Sequence, residues 1–215
     1  SSSSRGLGDV YKRQIHDIFK ALDFLHNLSN PIVHADLKPE NVILYDSHIY
    51  HCVLADFGLS IIKKKNIKLS NNFNVQSVWY RSPEICFEIP YDESIDIWSA
   101  GCVIYEVFYN DPLFRSKKNE NLILQFISVI GLPANGYIDI IDPYYYKYFN
   151  LNKYTSLWSF KDNIYDISGR LIKPKNNSIL DYEINNIASN KQINMFYLFM
   201  LIKKCIVYDV KKRIS

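Results

Sequence analysis

The stretch His34-Ala35-Asp36-Leu37-Lys38-Pro39-Glu40-Asn41 constrains this chain more than any other. It puts an acid, a cation and a carboxamide into eight residues. Asp36 can accept a proton from a hydroxyl nucleophile, and Lys38 can neutralise charge on a moving phosphoryl group. Asn41 can offer its amide oxygen to a hard cation such as magnesium. Phosphoryl transfer asks for little else, because positioning and charge neutralisation dominate it. Pro39 disfavours helix at Lys38, so the stretch reads as an extended loop. A plainer reading, a polar turn between a helix and a strand, stays open here, since short motifs match by chance.

The flanking residues give this loop a setting. Upstream, Ile15, Ile18, Phe19, Leu22 and Leu25 form an apolar helical stripe that ends before Ser29-Asn30-Pro31. Downstream, Val42 to Tyr45 and Cys52 to Ala55 read as short strands joined by a polar turn at Asp46 and Ser47. The second strand delivers Asp56-Phe57-Gly58, 20 residues beyond Asp36. From Leu59 to Ser82 the chain turns polar, with Lys63, Lys64, Lys65 and Lys68 and then Asn71, Asn72 and Asn74. That composition predicts a mobile loop whose lysines are solvated. Tyr91 to Tyr109 reads as an apolar helix carrying Asp96, and an unpaired carboxylate there would be costly. Trp98 reads as core. A further helix containing Leu122 to Ile130 ends at Gly131 and Pro133, and a last one runs from Met195 to Tyr208. Tyr137 to Asn190 is long, aromatic and irregular; its Tyr144-Tyr145-Tyr146 cluster lacks basic partners and reads as structural.

Composition excludes several classes. With 215 residues, 48% of them hydrophobic, the chain is long enough for one filled core. No apolar run reaches the roughly 18 residues of a membrane span, because Ser99 and Glu106 interrupt one candidate and Lys203 and Lys204 another. No secretory signal is present. Residues 1–14 lack apolar periodicity and read as a non-native leader or scar, apart from the folded residues 15–215. Without Arg5, Lys12, Arg13 and Asp9 the formal net charge falls from +3 to +1. Bulk charge therefore gives no support to nucleic-acid binding. Cys52, Cys86, Cys102 and Cys205 are too scattered for a metal or redox pair, and small buried thiols point to the cytoplasm or nucleus.

Four landmarks stand in order: His34 to Asn41, Asp56 to Gly58, Ser82-Pro83-Glu84, and Asp96 to Gly101 with Arg213 downstream. Together they resemble the catalytic core of eukaryotic protein kinases. The resemblance covers about residues 15–215 and is to the larger, mostly helical C-terminal lobe of that α+β fold, helices with short β hairpins. Trp79 to Glu84, Pro112-Leu113-Phe114, Gly131-Leu132-Pro133 and an insert over about residues 131–190 resemble the CMGC group. Gln76-Ser77 and Gly169 to Leu180 are most similar to its dual-specificity tyrosine-regulated branch, with the Yak-type and homeodomain-interacting relatives.

The resemblance implies ATP-dependent phosphorylation of protein serine or threonine hydroxyls, with tyrosine as a further option. It makes Asp36 the base and brings Lys38 to the transferred phosphate. Asn41 and Asp56 would hold magnesium, Ser77 would sit near the base, and Ile43 would lie under the adenine ring. His34, Gly58 and Asp96 become structural supports, the last bracing the catalytic loop. Glu84 and Arg213 match a structural ion pair, and Tyr80 and Arg81 would shape the pocket for the residue after the phosphorylated one. The implied partners are protein substrates.

Departures from the family pattern carry their own expectations. Ala35 stands where the family most often has arginine, Ser82 stands where it has alanine, and Asn72 and Asn74 occupy the positions of the branch's autophosphorylated tyrosines. The first and last suggest activity that does not depend on loop phosphorylation. No Gly-rich phosphate loop, strand lysine or partner glutamate precedes Asp36, so the N-terminal lobe is expected to be missing and this chain to be inactive alone. Two rival functions are a non-catalytic pseudokinase or scaffold, favoured by Ala35, and a small-molecule phosphotransferase, disfavoured by Ser82-Pro83-Glu84 and Asp96 to Gly101.

Overall fold

A computed structural model describes residues 7–46, 50–70, 73–161, 164–165, 171–172 and 193–214. Apolar residues surround the stretch Ser94–Tyr109, and a helix that is apolar on all sides must be buried. Every residue from Ile95 to Ile104 is indeed buried within it. In chain order the elements are α1 (Leu7–His26), β1 (Ile32–Val33), β2 (Val42–Asp46), β3 (His51–Leu54), β4 (Ile61–Ile62), α2 (Pro83–Cys86) and α3 (Ser94–Tyr109). Then come α4 (Asn119–Ile130), α5 (Asn135–Ile138), β5 (Phe149–Asn152), β6 (Leu157–Phe160), β7 (Ile164–Tyr165), β8 (Leu171–Ile172) and α6 (Ile193–Cys205). The sheets among the described residues are two-stranded and antiparallel, pairing β1 with β4, β2 with β3, β5 with β6 and β7 with β8.

Helix α3 is the axis on which α1, α6 and the 3-10 turn Val78–Tyr80 pack. Trp98 lies at its centre, fully buried, stacked on Phe114 at 5.7 Å between ring centroids and edge-on to Phe126 at 5.0 Å. The helix ends where Asn110 adopts left-handed backbone (φ 54°) and returns its N–H to the Glu106 carbonyl. Helix α4 stops in the same way at Gly131, whose φ of 85° suits a residue without a side chain. Helix α1 buries Ile18, Leu22 and Leu25, as the sequence stripe predicts.

Several expectations change. Helix α1 begins at Leu7 and not at Ile15, so part of the leader set aside above is helical. Tyr11 meets Phe108 edge-on at 6.0 Å, a contact that apolar periodicity over so short a stretch does not announce. Lys63 is buried, with its Nζ 2.8 Å from Glu93 Oε2 and 3.3 Å from the Ile67 carbonyl. The segment expected to be a mobile loop is also pinned where Leu69 and Tyr91 exchange backbone hydrogen bonds of 2.7 and 2.9 Å. The described part of Tyr137 to Asn190 contains α5 and the hairpin of β5 and β6, with Tyr145 and Tyr148 buried. Most of Gly169 to Leu180, and Asn72, lie outside the described residues.

At Gly101 the helices α3 and α6 come together so closely that a β-carbon would stand 2.6 Å from Cys205 Cβ and 2.9 Å from Ile206 Cδ1. Alanine would gain about 0.5–1 kcal/mol of helix propensity, whereas overpacking costs about 1–3 kcal/mol. Gly101→Ala is therefore expected to lower stability in urea denaturation. A gain in stability would mean that the two helices are not in contact there.

Candidate active site

The hairpin of β2 and β3 performs the first step in building the site. Its antiparallel register pairs Val42 with Leu54, so Asn41, just before β2, and Asp56, just after β3, emerge at the same end. The Ala55 N–H closes that end on the Asn41 carbonyl at 2.9 Å. The hairpin is held on α1, where Asp17 Oδ2 takes hydrogen bonds from His51 Nδ1 at 2.7 Å and the Cys52 N–H at 3.2 Å.

Beside it the loop His34 to Asn41 is suspended from α3. Asp96, fully buried, accepts the His34 N–H at 2.7 Å on Oδ2 and the Ala35 N–H at 2.9 Å on Oδ1. His26, the last residue of α1, adds a third hydrogen bond from Nε2 at 2.9 Å. The loop thereby turns through left-handed backbone at Ala35 (φ 63°), whose methyl group is buried with Val33, Val75, Ile85, Tyr91 and Ile95. The His34 ring tightens the turn. Its Nδ1 accepts the Asp36 N–H at 3.3 Å, which assigns the proton to Nε2, and that donates to the Ala55 carbonyl at 3.0 Å. Phe57 lies against the same ring at 4.9 Å between centroids.

These supports gather four polar side chains. Lys38 Nζ reaches Asp36 Oδ2 at 2.8 Å and Ser77 Oγ at 3.2 Å. Asp36 Oδ1 accepts both the Ser77 N–H, at 3.0 Å, and the Ser77 hydroxyl, at 2.8 Å. Asn41 Nδ2 donates to the Asp36 carbonyl at 2.8 Å and makes only a long contact, 3.4 Å, with Oδ2. Burial pushes the Asp36 carboxyl up, but the hydrogen bonds from Lys38 and Ser77 and the lysine charge outweigh it and hold the group below the ordinary carboxylate range. The bond to Asp36 in turn raises the Lys38 ammonium above an ordinary lysine. At neutral pH the pair is thus a carboxylate and an ammonium. Of the two carboxylate oxygens, Oδ2 has the capacity to accept one more hydroxyl.

Asp56 stands at the rim, exposed, in left-handed backbone (φ 60°). Its Oδ1 accepts the Gly58 N–H at 3.2 Å, and a β-carbon on Gly58 would press on that oxygen at 3.1 Å. With Nδ2 of Asn41 committed to Asp36, its amide oxygen is the atom left for a cation. Asn41 and Asp56 then supply two hard oxygen donors. Such a pair fits magnesium, which takes one or two protein oxygens and completes its octahedron from phosphate and water. Among the described residues no cluster of three or more His, Cys, Asp or Glu could hold a metal by itself.

The remaining predicted residues sit as follows. Ile43 lies on the outer face of β2 opposite Val53, with 50% and 45% of their surfaces exposed. Glu84 and Arg213 form a fully buried two-point pair at 3.0 and 2.5 Å, and Arg213 also donates to the carbonyls of Val207 and Ser94. Breaking it singly costs about 3–5 kcal/mol. Tyr80, expected with Arg81 to shape the pocket after the acceptor, lies in the turn Val78–Tyr80 that packs on α3; its ring is buried and its hydroxyl donates to Glu106 at 2.7 Å. Burial first, and that bond second, raise its phenol far above the ordinary range, so Tyr80 supports the segment from beneath. Arg81 stays partly exposed and holds the Gln76 carbonyl with Nε at 3.2 Å and Nη2 at 2.8 Å. All four cysteines are free and buried, and burial pushes Cys52 up to about 11 and Cys205 up to about 12, so they are inert. The sequence reading missed His26, a polar residue closing an apolar stripe, and gave Gln76 no role of its own. A cavity of about 450 Å³ between Phe19, His26, Asp92 and Val210 does not include Asp36 among its lining residues.

Comparison with known proteins follows this geometry. The profile of the protein kinase domain matches residues 8–215. Cyclin-dependent kinase 4 of Xenopus laevis is 36% identical over 126 residues, 59% of this chain and 38% of the relative. The probable dual specificity protein kinase YAK1 homolog of Encephalitozoon cuniculi (strain GB-M1) is 37% identical over 117 residues, 54% of this chain and 27% of the relative. Cyclin-dependent kinase 4 of Mus musculus is 36% identical over 125 residues, 58% and 39% respectively. The aligned part of the chain thus spans well under half the length of the curated relatives it matches. A loop hung from a buried aspartate, with Asp36, Lys38, Asn41 and Ser77 gathered on it, and these similarities lead to one conclusion: the chain belongs to the protein kinase domain family, in its CMGC group.

Proposed function

We propose that the protein containing this chain transfers a phosphoryl group from ATP to serine or threonine hydroxyls of protein substrates, with tyrosine as a further acceptor. The observation that carries this reading is the cluster of Asp36, Lys38, Asn41 and Ser77, which gathers a carboxylate, a cation, a carboxamide and a hydroxyl around one point. Asp36 Oδ2 accepts the hydrogen bond of the incoming hydroxyl and aims its oxygen. With its proton affinity held low, Asp36 is better suited to orient the hydroxyl than to strip it early. Lys38 shifts from Asp36 towards the transferred group as negative charge moves there. Magnesium, held by Asn41 and Asp56, would offset charge on the phosphate oxygens when bound. Arg81 occupies the Gln76 carbonyl, so a substrate backbone N–H finds no acceptor there. Proline after the acceptor residue has no N–H to leave unpaired and is the favoured follower.

The outer face of the hairpin supports a second element of the reading. Ile43, Val53 and Tyr45 expose apolar surface beside the site, with Tyr45 72% exposed. An N-terminal lobe elsewhere in the same polypeptide would cover that face, with Ile43 under the adenine ring, and would bring the phosphate loop and lysine. These 215 residues alone are then inactive. No helix among the described residues is long and apolar enough to cross a membrane, and the four buried thiols suit a reducing compartment, the cytoplasm or nucleus.

Loop phosphorylation is not needed for this activity. The place of a cationic anchor is taken by the Ala35 methyl group in its apolar cluster, and the segment is already tied down by Lys63 and Glu93 and by the pairing of Leu69 with Tyr91. Two outcomes follow for the full-length protein. It should phosphorylate peptides, faster with proline than alanine after the acceptor, and Asp36→Asn should lose about 10²–10⁴ in kcat, the range for a positioned acid or base. Equal rates from both proteins would remove Asp36 from the mechanism and favour a scaffold, and phosphorylation of sugars or antibiotics without peptides would favour a small-molecule enzyme. Phosphatase treatment should leave peptide phosphorylation intact; its abolition would restore dependence on the loop.

A further inference from the structure

We infer that Gln76 is a positioning residue for the proposed reaction, fixing the Ser77 hydroxyl on Asp36 through a buried side-chain amide. The inference rests on the phosphoryl-transfer reading above. Gln76 is 2% exposed, yet every polar atom with a described partner in its side chain is spent inside the protein. Nε2 donates to the Ile95 carbonyl at 2.9 Å and to Ser99 Oγ at 2.8 Å, both on α3. Oε1 accepts the Ser82 N–H at 2.9 Å, where α2 begins. The backbone is used as fully. Its N–H donates to the Ala35 carbonyl at 2.7 Å, and its own carbonyl receives Nε and Nη2 of Arg81.

One residue therefore ties together the loop that carries Asp36, the helix that carries Asp96 and the segment that carries Ser77. It does so in left-handed backbone (φ 63°), a conformation that persists in a non-glycine residue only when the surroundings over-determine it. Ser77, the next residue, inherits its direction from that turn. Asp36 Oδ1 takes two hydrogen bonds from Ser77. Loss of the amide frees the turn, lengthens the bonds from Ser77 and leaves the Asp36 carboxylate less firmly aimed at the incoming hydroxyl.

The test uses the full-length protein. Gln76→Met keeps the chain length and removes donor and acceptor together. Peptide phosphorylation should fall in kcat by about tenfold to a hundredfold, the scale of a misplacement near 1 Å. KM for ATP should hold, so that the loss falls on kcat alone. Ser77→Ala should likewise lower kcat with KM for ATP held, and the double variant should be no worse than the more damaging single one, because both act through the same bonds. Ser99→Ala removes one acceptor of the amide while leaving Gln76 in place, and should give a smaller loss in the same direction; it decides the matter if Gln76→Met does not fold. Unchanged kcat, or a loss that falls on KM for ATP and not on kcat, in a folded Gln76→Met protein, in Ser99→Ala if the former is unfolded, or additive losses in the double variant, would overturn the inference. If instead Asp36→Asn retains full activity, the phosphoryl-transfer reading itself has failed.

Discussion

The carboxylate of Asp96 is the interaction on which the other contacts depend. Burying an unpaired carboxylate costs several kcal/mol, and Asp96 meets that cost with two backbone N–H groups and a histidine ring contributed by segments 62, 61 and 70 residues away. The exchange works in both directions. The carboxylate is tolerable in the core because the loop satisfies it, and the loop holds its left-handed turn at Ala35 because the carboxylate grips it. Removing either partner leaves the other unsatisfied in a medium of low dielectric, which is why the arrangement behaves as a unit.

Two further buried polar groups extend that principle along the segment from β4 to α2. Glu84 and Arg213 clamp its far end to the C-terminal residues, and Lys63 clamps its near end to Glu93 at the threshold of α3. Both ends of the segment are thereby held, and Ser77 meets Asp36 through two hydrogen bonds. Ser82 is an exception to this order: its buried hydroxyl has no hydrogen-bond partner among the described atoms, and nothing in the structure explains its presence.

How much of this was legible in the sequence depended on distance along the chain. Asp36, Lys38 and Asn41 lie within a single turn of loop, so their residue types and spacing already expressed their chemistry. Asp96 was legible as a braced acid because a carboxylate within an apolar helix demands partners, but the partners were not: His26 is remote and looks like an ordinary polar helix end. Gln76 was recognisable only as a marker of resemblance, because its roles reside in Ile95, Ser99 and Ser82 and in a backbone angle that no local rule predicts for glutamine. Lys63 misled for the opposite reason. Among four loop lysines it had no distinguishing neighbour, and only the position of Glu93 decides that it is buried while Lys64, Lys65 and Lys68 are not. Resemblance alone associates Tyr80 with a substrate pocket; its bond to Glu106, 26 residues away, is not legible in the sequence.

The central claim is that a buried carboxylate on α3 sets the geometry of Asp36 without touching any reactant. Asp96→Asn tests it most directly, because asparagine preserves shape but presents an N–H₂ group to one of the three donors now facing the carboxylate. Measured on the full-length protein with peptide substrate, the variant is predicted to stay folded with lowered thermal stability, to keep its KM for ATP, and to lose about a hundredfold in kcat. A folded Asp96→Asn protein with unaltered kcat would contradict the account.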